Sequence, residues 1–223
     1  MNFFQKFMLL FKSKEDVPQL PQSKAPLDLR MKALVSMDST FSMLTNGVSN
    51  VQGFGTDQEV CAKGVIDLGQ GIRVHRFYLE DDVYMLQVRT SGGDVNFVEE
   101  VILFNYESLV TINSQEELAR IAGKGSLIGL PTYQLGERTY QRMWGTEPGL
   151  AELVLMHENV VNNDEPYTVQ HLSMLYTRDI DLNGRKEFLL FSVEETEGEN
   201  GGLAVQLSTA LGITLFANDI KVI

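Results

Sequence analysis

Short runs of β-branched and aromatic residues, each followed by turn-forming residues, recur along most of this chain. Eight such runs predict strands, and none of them shows the apolar periodicity of a full-length helix. They are KGVIDLG (63–69), GIRVHRFYL (71–79), DVYMLQVRT (82–90), NFVEEVILFNY (96–106), RTYQRMW (138–144), LAELVLMHENV (150–160), YTVQHLSMLYTRDI (167–180) and KEFLLFSVEE (186–195). Because turns rather than crossover helices separate the runs, we expect antiparallel pairing and a mainly β (α+β) fold, either a sandwich or a partly closed barrel.

Two local patterns refine this expectation. The dipeptide Asn183-Gly184 suits a type I′ turn, which needs positive φ at both central positions, so it should pair the strand around 172–176 with the strand around 188–193. One short internal helix is expected after Ser114, because Ser114 and Glu117 have the spacing of a capping box. Gly123 can end that helix in the left-handed conformation.

The first 26 residues differ from the rest of the chain. Apolar side chains lie along one helical stripe with lysines largely off it, which predicts an amphipathic helix over residues 1–14. The stripe and its lysines are Phe3, Phe4, Lys6, Phe7, Met8, Phe11 and Lys12. Three prolines favour a semi-extended linker over residues 15–26, and we expect a single mainly β domain over residues 27–223.

Charge and cysteine content limit the classes of function. The formal net charge is -12, of which residues 1–26 contribute +2 and the remainder -14, so the body lacks the basic face that nucleic acid requires. The longest apolar run near the N-terminus, residues 7–11, is far shorter than the roughly 20 residues of a membrane span and the about 7 to 15 of a signal-peptide core. A lone cysteine, Cys61, forms no internal disulfide, and these features together predict a cytoplasmic protein.

The stretch GIRVHRFYLEDD (71–82) places cationic side chains just before three carboxylates. Side chains alternate along a strand, so Arg73 and His75 should face one side while Arg76 and Tyr78 face the other. Asp favours turns and the spacing of a calcium loop is absent. We therefore interpret residues 80–82 as the acidic turn of a hairpin rather than as a metal site.

Other signatures of chemistry are missing. His157 lacks the second histidine of a zinc-protease helix, and His171 stands alone. There is no GxSxG elbow, and GKGSLIG (123–129) lacks the order of a phosphate-binding loop. The sequence therefore predicts no catalytic residue, no metal site and no cofactor.

Four segments carry a family resemblance. They are LDLRMKALVSMD (27–38), GVIDLGQGIRVHRFYLEDDVYMLQV (64–88), PTYQLGERTYQRMWG (131–145) and the closing DIKVI. Together they resemble the YjfK-like family of uncharacterised bacterial proteins. The resemblance brings no catalytic residues, but it implies genes nearby for a phage-shock-type coiled-coil protein, small membrane proteins and an enzyme resembling glutathionylspermidine synthase. That setting implies a cytoplasmic accessory protein that works at the inner membrane.

Two functions follow as hypotheses. The first is a non-enzymatic accessory or adaptor protein, whose acidic β domain meets protein partners and whose basic N-terminal helix makes weak contact with anionic membrane; the same apolar stripe could instead dock onto its own domain or a sister subunit. The second is a small-molecule-binding protein or enzyme with a polar pocket near Arg73, His75 and Tyr78 or near Trp144.

Overall fold

The computed structural model describes residues 25–80, 83–163, 166–197 and 203–223. Its strands are β1 Leu34–Met37, β2 Gln58–Gly69, β3 Ile72–Leu79, β4 Tyr84–Thr90, β5 Val98–Ile112, β6 Thr132–Leu135, β7 Arg138–Arg142, β8 Val154–Val161, β9 Tyr167–Asp179, β10 Lys186–Glu197, β11 Leu203–Leu215 and β12 Ile220–Val222. The helices are a 3-10 turn at Pro26–Asp28, α1 at Phe41–Thr45 and α2 at Gln115–Ala122. The helix predicted over residues 1–14 and most of the predicted linker lie outside the described residues.

Eight of the strands close into a barrel. They follow the order β2-β3-β4-β5-β11-β10-β9-β8, each antiparallel to its neighbour, and β8 pairs back onto β2 from Lys63↔Val161 to Ile66↔Glu158. β1 and β12 extend the sheet beyond β2, and the β6–β7 hairpin attaches to β9. The predicted antiparallel, mainly β fold is confirmed, but the barrel is closed rather than partly open because β8 bridges β2 and β9.

The wall of the barrel is buried on both faces over most of its circumference. One large apolar cluster lies on the outer face of the wall, and residues from 29–54 and from 118–151 cover it. The wall contributes outward positions of β3, β4, β5, β9, β10 and β11 to this cluster. Inward positions such as Met85, Phe104 and Leu190 form a separate cluster. The outer faces of β2 and β8, with Asp67 and His157, are open to solvent, and so are residues 107–111 of β5.

The predicted hairpins are present. Tyr176 pairs with Leu189 and Leu172 with Val193, and both Asn183 and Gly184 have positive φ, at 50° and 74°. β3 pairs with β4 from Arg73↔Thr90 to Tyr78↔Met85, which confirms the hairpin, although Asp81 and Asp82 of its turn lie outside the described residues.

The predicted internal helix is also present, as α2. The side chain of Ser114 accepts a hydrogen bond from the Glu117 backbone N–H at 3.1 Å. Gly123 follows the helix with φ -112°, so the expected left-handed ending is wrong; the residue has extended backbone there, and a Cβ at this position would lie 2.7 Å from the Ala119 carbonyl oxygen. Within the described residues no helix is both long enough and apolar enough to cross a membrane.

Candidate functional site

Side chains from all eight barrel strands line one cavity of about 450 Å³. Its position follows from strand alternation, which points every second side chain inward; on β2 a register shift between Val60 and Ala62 lets both Cys61 and Ala62 line it. The lining side chains include Cys61 and Ala62 on β2, Arg76 and Tyr78 on β3, Met85 on β4, Tyr106 on β5, Val160 on β8, Tyr167 and His171 on β9, Leu190, Ser192 and Glu194 on β10, and Ser208 on β11. The cavity is the lumen of the barrel.

One end of the lumen is apolar and filled. Along β10 the inward positions change from Phe188 and Leu190 to Ser192 and Glu194, so polarity rises toward the end of this strand. At the apolar end Trp144 packs against two groups of inward residues, one on β2, β3 and β8 and the other on β4, β5, β9, β10 and β11. The lumen is therefore closed on that side and polar on the other.

Arg142 fixes the loop that carries Trp144. Its buried guanidinium donates hydrogen bonds to four backbone carbonyls, those of Gly129, Gly145, Glu147 and Gly149. An arginine bonded in this way holds residues 145–149 as a unit. The position of Trp144 at the apolar end follows from that anchoring.

The polar end contains a buried ionic cluster around Glu158. Arg76 Nη1 lies 2.8 Å from Glu158 Oε2, and the Tyr78 hydroxyl donates to Oε1 at 2.7 Å. His171 Nε2 lies 3.0 Å from Oε2, although its orientation makes this contact ionic rather than a hydrogen bond. Glu158 is completely buried, as are most of the charged atoms of Arg76 and His171. A buried carboxylate is tolerated only with such partners.

Gly64 makes room for this carboxylate. It lies on β2 between Arg76 of β3 and Val160 of β8, and a Cβ at this position would be 1.7 Å from Glu158 Oε1. The absence of a side chain lets Glu158 extend across β2 to reach Arg76. Gly64 is therefore a positioning residue for the cluster.

Electrostatics keeps the cluster charged. Burial opposes ionisation of Glu158, but the charge of Arg76 and the contacts from His171 and Tyr78 outweigh it and lower the pKa of Glu158 to about 2. Burial also raises the pKa of Tyr78 well above its usual range and that of Tyr106 to about 12, so both phenols stay neutral. For His171 burial favours the neutral form, yet its contacts with Glu158 and Glu194 raise its pKa overall.

His171 also touches a hydroxyl. Its Nδ1 lies 3.2 Å from Ser192 Oγ and 3.3 Å from Glu194 Oε2, and Ser192 Oγ is 2.9 Å from Ser173 Oγ. A serine, a histidine and a carboxylate are the parts of a nucleophilic site. The pKa of His171 is raised above its ordinary value of 6.5, so the ring is protonated at pH values below that value. A protonated ring has no lone pair that could accept a proton from Ser192. In that pH range the arrangement favours ion pairing over general-base chemistry.

The sequence-predicted pocket residues do not converge. Tyr78 lines the lumen, whereas Arg73 and His75 lie on the outer face of β3, as their alternation with Tyr78 requires. Arg73 is half-exposed beside Asp67 at 3.6 Å, and His75 Nε2 lies 3.2 Å from Thr90 Oγ1. Burial first, then the charges of Arg73 and Lys63, lower the pKa of His75 to about 4. Trp144 packs beneath the lumen and does not line the cavity.

Sequence reasoning missed the central residues, which are Arg76, Glu158, His171 and Glu194. The signal for Arg76 was present, because strand alternation places it on the face of Tyr78. No local signal pairs Arg76 with Glu158, since 82 residues separate them. No group of three or more His, Cys, Asp and Glu side chains in the described part of the chain is arranged to hold a metal ion.

Fold and site together define a closed antiparallel barrel with a charged lumen. The chain belongs to the family described as protein of unknown function DUF2491, whose model matches residues 4–221. It is 30% identical to the uncharacterized protein YjfK of Escherichia coli K12 over 225 aligned positions, which cover 100% of this chain and 99% of that protein. The predicted YjfK-like resemblance is confirmed.

Proposed function

We propose that this chain binds a small polar molecule in the barrel lumen. The observation that carries the proposal is that Arg76 and His171, the two charged partners of buried Glu158, line a cavity. A volume of about 450 Å³ lies within the range of about 300 to 1,000 Å³ typical of small-molecule sites. Charges held by fixed partners on several strands can orient a ligand without rearrangement.

The proposed activity is binding and not catalysis. Ser192 is the hydroxyl next to a titratable base, and its partner His171 is held between two carboxylates that favour the protonated ring. Neutral Tyr78 and Tyr106 supply hydrogen-bonding groups and aromatic surface. Together with Met85 and Leu190 they form a wall that suits an organic molecule with both polar and apolar parts.

The accessory role at the inner membrane stays a prediction. It rests on the amphipathic stripe of residues 1–14, which lies outside the described residues, and on the excess of negative charge in the rest of the chain. Binding in the lumen is compatible with such a role, because a ligand can report a metabolic state to a protein partner. We propose a cytoplasmic location and protein partners on the same grounds.

The test is a thermal-shift screen of a metabolite library against the wild type and a matched pair of variants on β2. Ala62→Phe fills the lumen from an inward position, whereas Lys63→Phe places the same side chain on the outer face. A ligand at about 100 times its Kd adds about 2.7 kcal/mol, which raises the Tm of a domain of this size by several degrees. We expect a compound that stabilises the wild type and Lys63→Phe but not Ala62→Phe. A screen in which every hit stabilises all three proteins equally, or in which there is no hit, contradicts the proposal.

A further inference from the structure

The two carboxylates of the lumen differ in how much bonding capacity is already used. Glu158 has no exposed side-chain surface, and its two oxygens contact Arg76, Tyr78 and His171. Glu194 is 23% exposed, and its charged contact is with His171 Nδ1 at 3.3 Å. An ionised carboxylate accepts about four hydrogen bonds, and Glu194 lines the cavity, so it has acceptor positions left for a ligand there.

Two aromatic side chains line the same cavity as this carboxylate. They are Tyr106 and Tyr167, and burial first, with a smaller contribution from the charge of Glu194, raises the pKa of each. Both phenols are neutral at physiological pH. A carboxylate beside neutral aromatic rings is the chemistry that binds an organic ammonium group, through a charge-assisted hydrogen bond and cation–π contact.

The positive charge of Arg76 does not oppose such a ligand strongly. Glu158 neutralises it at 2.8 Å, and the low pKa of Glu158 keeps that pair intact. The remaining pair of ions is Glu194 and protonated His171. A second cation that approaches Glu194 therefore competes with the proton of His171 for the same carboxylate.

We propose that the lumen takes a small organic amine, whose ammonium group pairs with Glu194 in place of the proton on His171. This inference rests on the proposed function and names its ligand class. The charged and titratable groups that face His171 are Glu158 on β8, Arg76 and Tyr78 on β3, Glu194 on β10, Tyr106 on β5 and Cys61 on β2. Among them Glu158 and Arg76 remain ionised when the ligand binds. His171 therefore loses its proton as the ligand cation enters, and the net charge in the lumen stays the same.

The probes are three molecules with one scaffold and different charge: phenethylamine, 2-phenylethanol and phenylacetate. Isothermal titration calorimetry on the full chain should show phenethylamine binding at least about tenfold more tightly than the alcohol, with phenylacetate weakest. Glu194→Gln should reduce phenethylamine affinity about tenfold or more, and Glu194→Asp should retain part of it. Glu116→Gln, at an exposed position of α2, is the matched control and should bind as the wild type does.

Proton exchange gives the second readout. Alkylamines titrate near pH 10, as lysine does, so phenethylamine is cationic from about pH 6 to about pH 8.5. Its affinity should rise over that interval, and titration at about pH 6 in two buffers of different ionisation enthalpy should show release of a proton. Both effects should vanish in His171→Gln.

Equal or tighter binding of the alcohol or of phenylacetate overturns the amine inference, as does full phenethylamine affinity in Glu194→Gln. If those probes are blocked by Ala62→Phe, the lumen still binds ligands and only the ligand class is wrong. If no probe binds the wild type, the amine inference fails, and the library screen then decides the lumen proposal separately.

Discussion

Among the side chains whose burial the structure describes, two glutamates of the barrel are completely buried, and they lie on opposite faces of its wall. Glu158 points into the lumen, where Arg76 and Tyr78 bind it. Glu187 points outward from β10, where Arg178 Nε lies at 2.8 Å and the Tyr140 hydroxyl at 2.6 Å. Each is thus an ionised carboxylate held by arginine and tyrosine.

The two clusters differ in what surrounds them. Glu187 also contacts Arg138 at 3.3 Å, the Ser49 hydroxyl and the Asn50 backbone N–H at 2.9 Å, so it fastens the 48–50 segment and β7 to the barrel. Glu187 thus holds two segments against the outer face of the barrel, whereas Arg76 and His171, which contact Glu158, line a cavity of about 450 Å³. A buried ion pair alone therefore does not mark a functional site; the adjoining space does.

The largest expected effect is on the outer cluster. Glu187→Ala leaves Arg138 and Arg178 without their counter-ion and frees the 48–50 segment, so the free energy of unfolding should fall by about 3 to 5 kcal/mol. Urea denaturation followed by circular dichroism measures it. Glu137→Ala, at an exposed neighbouring position, should change stability by less than about 0.5 kcal/mol. A loss below about 1 kcal/mol for Glu187→Ala would show that the outer cluster does not hold these segments.

The inner cluster should respond to acid. The pKa of Glu158 in the folded protein is about 2, below its ordinary value of 4.5, so its contribution to stability is present above pH 4.5 and lost as the pH falls toward 2. Glu158→Gln should reduce the free energy of unfolding by roughly 2 to 4 kcal/mol at neutral pH.

The same variant should flatten the dependence of Tm on pH between about 2 and 4.5. Glu116→Gln is the control for a change of net charge and should keep the wild-type slope. An unchanged acid slope in Glu158→Gln would mean that other carboxylates govern acid unfolding.

The smallest expected effect concerns Gly64. Gly64→Ala places a methyl group 1.7 Å from the present position of Glu158 Oε1, so the carboxylate must move away from Arg76. We expect a loss of about 1 to 3 kcal/mol in stability, together with loss of lumen binding, because small-to-large changes in a packed site cost this much. Gly55→Ala, where no atom lies within 4 Å, should leave both unchanged. Lumen binding that survives Gly64→Ala would remove the cluster from the site.

Strands with β-branched and aromatic residues were predictable, and so was the turn at Asn183-Gly184. β11 was missed although it lies between β5 and β10, because it carries small residues such as Ala210 and Gly212. The structure supplies the reason: the Phe104 ring packs where a Cβ of Gly212 would stand, at 2.7 Å. Strand propensity does not register such a position, since the need for a small residue arises in the neighbouring strand.

The site was less predictable than the fold. Arg76, Glu158 and His171 each lie in an alternating strand, where a charged residue is normally assigned to the solvent side. Alternation cannot decide which face is covered once both faces are buried, as on β3 and β9. The outer face of the wall is buried because residues 29–54 and 118–151 fold over it and form an apolar cluster with it. The opposite face, which carries the charged residues, is therefore the interior of the barrel.

Two pairings of strands distant in sequence set the order in which the molecule can assemble. The pairing of β2 with β8 joins residues 63–66 to 158–161 and that of β5 with β11 joins residues 101–112 to 205–215, whereas hairpins such as β3–β4 and β9–β10 join residues close in sequence. Closing a long loop carries a larger entropic cost than closing a short one, and contacts distant in sequence slow folding. We therefore expect the hairpins to form early and the seam between β2 and β8 to form late. Until that seam forms, Glu158 and Arg76 remain hydrated on separate parts of an open sheet, so the lumen exists only in the completed fold.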